Sequence, residues 1–183
     1  MGQFINSEKM DLPLIGSNYL EFTKKQFHVM KIRGDKTLSQ ITEDSMLHHA
    51  LDEESNSIAI IVRHLSGNMI SRWTNFFEED GEKVNRDRSS EFYVDYTPSK
   101  DELLMRWEKG WEVFFNTLDS ITVDDLERTV RIRGEEHTVV EALNRQLAHY
   151  SEHMGQMIFL VKHFNSSNWK TLSLPRTKRT AFE

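Results

Sequence analysis

Residues 98–121 read PSKDELLMRWEKGWEVFFNTLDSI. Ser99 and Glu102 stand three positions apart directly after a proline, which is the pattern of a capping box at the start of a helix. Large apolar residues then recur at alternating steps of three and four, the spacing of a helix that buries one face. They are Leu104, Trp107, Trp111, Phe114, Leu118 and Ile121. This stretch therefore predicts a long amphipathic helix.

Three other segments show the same helical spacing. The first has its apolar residues at Ile15, Tyr19, Phe22 and Met30. The second runs from Ile58 to Phe76, and we expect its helix to end near Glu78. The last begins at another capping box, Thr138-x-x-Glu141, and carries its apolar stripe as far as Val161.

Together these segments predict an all-α fold, a four-helix bundle. Residues 129–138 alternate branched and charged side chains around Gly134, which predicts a small β-hairpin before the last helix. The connection over residues 78–97 is too long for a simple helical hairpin, so it predicts a crossover along the bundle. We expect the bundle to occupy residues 1–165 and a polar tail to occupy residues 166–183.

The composition narrows the classes of function. The chain has 183 residues, enough for one domain with a buried core, and it has no cysteine. Disulfides, thiolate zinc sites, iron–sulfur clusters and a cysteine nucleophile are therefore excluded, and a cytoplasmic location is the simplest interpretation. The net charge is −6, without the basic patch of a nucleic-acid-binding protein. The apolar stretches are too short to span a membrane, and we recognise no secretory signal.

Three histidines stand out by their positions on the predicted helices. His149 and His153 are four residues apart, so their rings lie on one face of the last helix, about one turn from each other. His64 lies at a similar flank of the second helix, aligned with Asn68. A pair of helical histidines with a third from a facing helix has the geometry of a three-nitrogen divalent metal site. The alternative is that these are surface histidines, or core histidines with ordinary hydrogen-bond partners.

Two known classes of metal site do not fit this sequence. A zincin has a glutamate directly after its first histidine, whereas Tyr150 follows His149. A di-iron bundle uses Glu-x-x-His on two helices, and no histidine in this chain has a glutamate three positions before it.

Two motifs around these histidines resemble the DinB/YfiT-like superfamily. They are IVRHLSGN at residues 61–68, with Arg72-Trp73 one turn later, and QLAHYSEHMGQ at residues 146–156. Within residues 81–92, GEKVNRDRSSEF is similar to a bacterial branch of that superfamily without an assigned activity. The resemblance covers nearly the whole chain.

The resemblance implies a bundle with a long crossover between its second and third helices, and often a homodimer. It also implies a divalent metal held by His64, His149 and His153. Three nitrogen ligands suit borderline ions, so we expect zinc or nickel. Some members transfer low-molecular-weight thiols such as bacillithiol or mycothiol to an electrophile. Metal-dependent thiol S-transfer is thus the leading prediction. The alternatives are a metal-dependent hydrolase and a non-enzymatic binding module that the ion staples together.

Four further residues are candidates for ligand contacts. Asn68 and Arg145 each lie one turn from a predicted metal ligand, so they could orient a substrate or meet developing negative charge. Arg86 and Arg88 lie in the crossover and could bind the carboxylates of an anionic thiol. The alternative for all four is ordinary hydrogen bonding at a solvated surface.

Overall fold

The computed structural model describes residues 12–175. Residues 176–183 of the predicted tail and the first eleven residues of the predicted bundle lie outside this range. Between residues 12 and 175, five α-helices and one two-stranded sheet follow each other. They are α1 (Leu12–Leu38), α2 (Ser45–His48), α3 (Ile58–Trp73), α4 (Lys100–Ser120), β1 (Thr129–Ile132), β2 (Glu135–Thr138) and α5 (Val139–Asn165). The four long helices, α1, α3, α4 and α5, pack around one core, as predicted.

The helix starts form where the capping residues predicted them. Ser99 Oγ accepts from the Glu102 backbone N–H, and the Glu102 carboxylate accepts from the Ser99 N–H at 2.8 Å. Thr138 and Glu141 make the same reciprocal pair at the start of α5. Ser57, which the sequence analysis did not single out, caps α3 by accepting from Ile60 N–H. Each cap satisfies backbone donors that would otherwise lack a partner.

An aromatic cluster fills the centre of the bundle. Trp73 from α3, Trp111 and Phe114 from α4, and Tyr150 from α5 are all fully buried and meet edge to face. The Trp73 indole N–H donates to the Tyr150 hydroxyl at 3.2 Å. Rings of this size dominate the energetics of a core, and truncating one of them typically costs about 3–5 kcal/mol.

The predicted buried face of α1 is partly wrong. Ile15 is 45% exposed and Phe22 is 62% exposed, whereas Leu20, Phe27 and Met30 face the core. This helix has apolar residues on two sides, and each side has helical spacing. Spacing alone does not show which of the two stripes is buried. The packing of α4 and α5 against one of them decides this.

The predicted end of the second helix is also wrong. The helix, α3, ends at Trp73 and not near Glu78. Thr74 adopts an extended conformation and Asn75 has a positive φ of 49°, which turns the chain away from the helix axis. The crossover therefore spans residues 74–99 and contains a 3₁₀ turn, Ser89–Phe92, packed against α3. It begins about 13 Å along the axis from His64, at 1.5 Å per residue, and not the roughly 20 Å that a helix reaching Glu78 would give.

The predicted β-hairpin is confirmed. Thr129 pairs with Thr138 and Ile132 with Glu135 in an antiparallel register, and Arg133 and Gly134 form the turn with positive φ angles of 57° and 78°. The Asp80 carboxylate of the crossover accepts from the backbone N–H groups of both turn residues, at 2.8 and 2.7 Å. Crossover and hairpin are thus tied together beside α3 and α5. Within residues 12–175, no helix is long and apolar enough to cross a membrane.

Candidate metal centre

The three predicted histidines lie together between α3 and α5. His64 Nε2 lies 3.1 Å from His149 Nε2, and one ligand nitrogen from each of the three rings falls within 4.8 Å of the others. Zinc–nitrogen bonds are about 2.0–2.1 Å long, so one ion can contact two nitrogens that are 3.1 Å apart. His64 is 3% exposed, and His149 and His153 are half-buried. The rings therefore form one compact donor set that is open on the α5 side.

Each of these rings has a polar partner at its other nitrogen. His64 Nδ1 donates to the Glu91 carboxylate at 2.9 Å, and His153 Nδ1 donates to the Gln156 side-chain oxygen at 3.0 Å. The Gln146 side-chain amide lies 3.0 Å from His149 Nδ1. Partners of this kind fix the orientation and tautomer of metal-binding histidines. The contacts at Nδ1 leave the Nε2 atoms of His64 and His153 for a shared ligand, whereas His149 Nδ1 accepts from the Gln146 amide N–H.

Glu91 reaches His64 from the crossover. Its carboxylate also binds the Arg86 guanidinium through two hydrogen bonds of 2.8 Å. Burial alone would raise the pKa of Glu91, but the hydrogen bonds from His64 and Arg86 outweigh burial and hold that pKa below its ordinary value. Glu91 is therefore ionised at neutral pH. It lies directly over Gly67, where a Cβ atom would collide with its carboxylate.

The sequence analysis assigned no role to Glu91. The residue is 27 positions from His64 and lies in the 3₁₀ turn of the crossover, so no helical spacing relates the two. The one feature of the sequence that could have pointed to Glu91 was Gly67. It is a glycine inside a helix, three residues from the candidate ligand His64. Gly155, the other glycine near a predicted ligand, faces open space and carries no such signal.

The electrostatic surroundings favour uncharged rings. Burial lowers the pKa of His149 to about 3, and the neighbouring His153 and His64 contribute to that shift. Burial also lowers the pKa of His153. At neutral pH both imidazoles are therefore neutral, which is the form that binds a metal.

The other predicted residues divide into two groups. Asn68 is buried behind the histidines, and its Oδ1 accepts from Gln146 at 2.9 Å and from the Tyr150 hydroxyl at 3.3 Å. The side chain of Arg86 is only 6% exposed, and its guanidinium contacts two carboxylates, Glu91 and Glu82. This pairing supports a role of Arg86 in positioning Glu91, and the direct contact of Arg86 with a thiol stays a prediction.

Arg88 and Arg145, by contrast, are exposed and line a cavity of about 300 Å³ next to His149. They come from the crossover and from α5, respectively. The structure thus brings these two predicted residues together beside one of the three rings.

Comparison with protein families gives a match over residues 14–178 to a family described as a protein of unknown function, DUF1572. The chain belongs to the DUF1572 family. The matched region includes all three histidines, the crossover and the hairpin. No curated protein and no solved structure matches the chain significantly. The geometry of its own site is therefore the basis for assigning a function to this DUF1572 protein.

Proposed function

We propose that this DUF1572 protein binds one divalent metal ion through His64, His149 and His153 and uses it to transfer a small-molecule thiol to an electrophile. The observation that supports this most directly is the meeting of three ring nitrogens within 4.8 Å, each ring having a polar partner at its other nitrogen. Chance clustering of surface histidines does not account for three such partners.

The donor set fits a borderline divalent ion. Three neutral imidazoles suit zinc and nickel, and they leave one or more positions for a substrate. Ligation through Nε2 requires a proton on Nδ1, and Glu91 and Gln156 already accept there. At His149 the Gln146 amide N–H faces Nδ1, so ligation through Nε2 there requires the amide to turn its oxygen toward the ring and to give up its hydrogen bond to Asn68 Oδ1.

The chain's own residues hold and tune the site. Glu91 keeps the His64 ring in place, and Arg86 keeps Glu91 ionised. A divalent ion on three uncharged rings would lower the pKa of a thiol or water molecule held there toward neutrality. In the proposed transfer the thiol loses its proton to solvent, and its sulfur forms a bond to the electrophilic carbon. The leaving group departs with the electron pair of the broken bond.

One observation favours a second function, a metal-stapled binding module. His64 belongs to α3, the other two ligands belong to α5, and Glu91 belongs to the crossover. An ion at this point would join three segments, and that alone would stabilise the fold. A metal hydrolase would use the coordination position that the three histidines leave open to bind water. The activity assays below distinguish this function from thiol transfer.

Elemental analysis of the purified protein tests metal binding first. We expect about one divalent ion per chain, lost in His64→Ala, His149→Ala and His153→Ala. His28→Ala is the matched control, because His28 is an exposed helical histidine stacked on Phe115. Equal metal content in all four variants would contradict the site.

Activity assays then separate the functions. Bacillithiol, mycothiol and glutathione are each offered with a chromogenic electrophile, with and without a chelator. Chelator-sensitive conjugation supports thiol transfer, and turnover of an ester or amide panel supports hydrolysis. If the chelator only lowers the melting temperature and no thiol binds, the metal-stapled module is the better assignment.

A further inference from the structure

A cavity of about 300 Å³ lies beside His149, and Asn68 and Gln146 form part of its lining. It is open to solvent and is near the lower end of the range for small-molecule sites. Its wall has four arginines from four segments and one carboxylate, Glu152. The arginines are Arg72 of α3, Arg88 of the crossover, Arg133 of the hairpin turn and Arg145 of α5.

Arg72 is the buried member of this set, at 3% exposed. Its Nε donates to the Gly81 carbonyl at 3.3 Å, and its Nη1 donates to Gln146 Oε1 at 3.5 Å. Its nearest carboxylate, Glu82, lies 3.8 Å away. Burial lowers the pKa of Arg72 to about 10, and the positive charges of Arg145 and Arg133 contribute to that shift. A buried guanidinium with contacts this long is incompletely compensated.

The surrounding charges do not supply the missing compensation. Glu82 is shared among three guanidinium groups, those of Arg72, Arg86 and Arg133. Among residues 12–175, the ion pairs at this cavity involve Arg72 and Arg133, and the side chains of Arg88 and Arg145 are exposed without one. A chain of net charge −6 thus gathers positive charge around one cavity. Converging guanidinium groups are the recognition chemistry of carboxylates and phosphates.

We infer that this cavity binds an oxyanion, the carboxylate or phosphate group of a substrate whose reacting end lies at the histidines. The second part of the inference rests on the proposed function. Arg145 is one helical turn from His149, a rise of about 6 Å, and Arg72 is eight residues from His64, a rise of about 12 Å. The substrate class is therefore a small acid with its anionic group on the order of 6–12 Å from the reacting atom.

Calorimetric titration of the purified full-length chain tests the site without any activity assay. Orthophosphate and succinate are the probes, at constant ionic strength set with chloride, on chelator-treated and metal-loaded protein. Binding of one or both probes is expected in both forms, and the preferred probe identifies the anion as a phosphate or a carboxylate. Arg88→Gln and Arg145→Gln should each weaken binding by roughly tenfold. Arg33→Gln, at an exposed arginine of α1, is the matched control and should leave it unchanged.

Three outcomes would overturn the inference. They are no binding of either probe, equal weakening in Arg33→Gln, and binding that needs the metal and is insensitive to the arginine variants. The last result would show that the anion binds to the metal ion and not to the arginines. Metal content measured on the same samples separates the two proposals. Anion binding by a wild type that takes up no metal during loading supports the arginine site and contradicts the metal function, and metal uptake without anion binding does the reverse.

Discussion

The seam between α3 and α5 has two polar ends that differ in how completely their groups are paired. At the metal end, defined by His64, His149 and His153, each ring has a partner within 3.0 Å. At the arginine end, defined by Arg72, Arg88, Arg133 and Arg145, the buried guanidinium has only long contacts. A completed network holds side chains ready for a ligand, whereas an incomplete one requires the ligand to supply charge. The two ends are thus suited to ligands of opposite charge.

The largest expected effect is at the metal end. Glu91→Ala removes the partner of a buried arginine, with side-chain exposures of 6% and 8% in the pair. Removing one member of a buried ion pair costs about 3–5 kcal/mol, so we expect a loss of that size in urea unfolding. Metal affinity should also fall by about 10–100-fold, because His64 loses its orienting partner.

The control for this variant is Glu78→Ala, at an exposed glutamate early in the same crossover. Its free energy of unfolding should stay within about 0.5 kcal/mol of the wild type. If Glu91→Ala changed the free energy of unfolding as little as Glu78→Ala, the ion pair between Glu91 and Arg86 would not stabilise the fold.

Metal loading should give the next largest effect. A ligand that binds only the folded chain stabilises it by about 2.7 kcal/mol at a hundredfold excess over its Kd. Zinc titration followed by thermal unfolding should therefore raise the melting temperature of the wild type and not that of His149→Ala. An equal rise in both would show that zinc acts elsewhere on the chain.

Two helical glycines give a matched pair of intermediate size. Gly67→Ala places a Cβ atom against the Glu91 carboxylate, and overpacking of this kind costs about 1–3 kcal/mol. Gly155→Ala meets open space, so the better helix propensity of alanine should stabilise the chain by roughly 0.5–1 kcal/mol. Denaturant unfolding measures both. If both substitutions changed the free energy of unfolding in the same direction, the Glu91 side chain would be free to move away from α3.

The smallest effect is expected at the arginine end. Arg145→Gln removes an exposed charge that contributes to the repulsion around Arg72. We expect the free energy of unfolding to stay unchanged or rise by up to about 0.5 kcal/mol. A clear loss of stability in this variant would show that Arg145 supports the fold, and the contrast between the two ends would disappear.

Much of this architecture could be predicted from local patterns. Capping boxes and apolar spacing identified α4 and α5, and the four-residue step between His149 and His153 placed two rings on one face. The side of α1 that is buried could not be predicted, because Phe22 and Phe27 belong to two stripes of similar quality. The role of Glu91 and the burial of Arg72 could not be predicted either. Their importance comes from contacts with residues far away in the sequence. The spacing of residues along a helix predicts only contacts between near neighbours.

The hydrogen bonds behind the histidines also have an optical consequence. They run from the Trp73 indole to Tyr150, then to Asn68, to Gln146 and finally to His149. A ligand that requires the Gln146 amide to turn would change the acceptors along this relay, and the indole emission depends on the strength of its own hydrogen bond. With the other three tryptophans replaced by phenylalanine, the fluorescence of Trp73 would report from inside the core on occupancy of the metal centre, without an added dye.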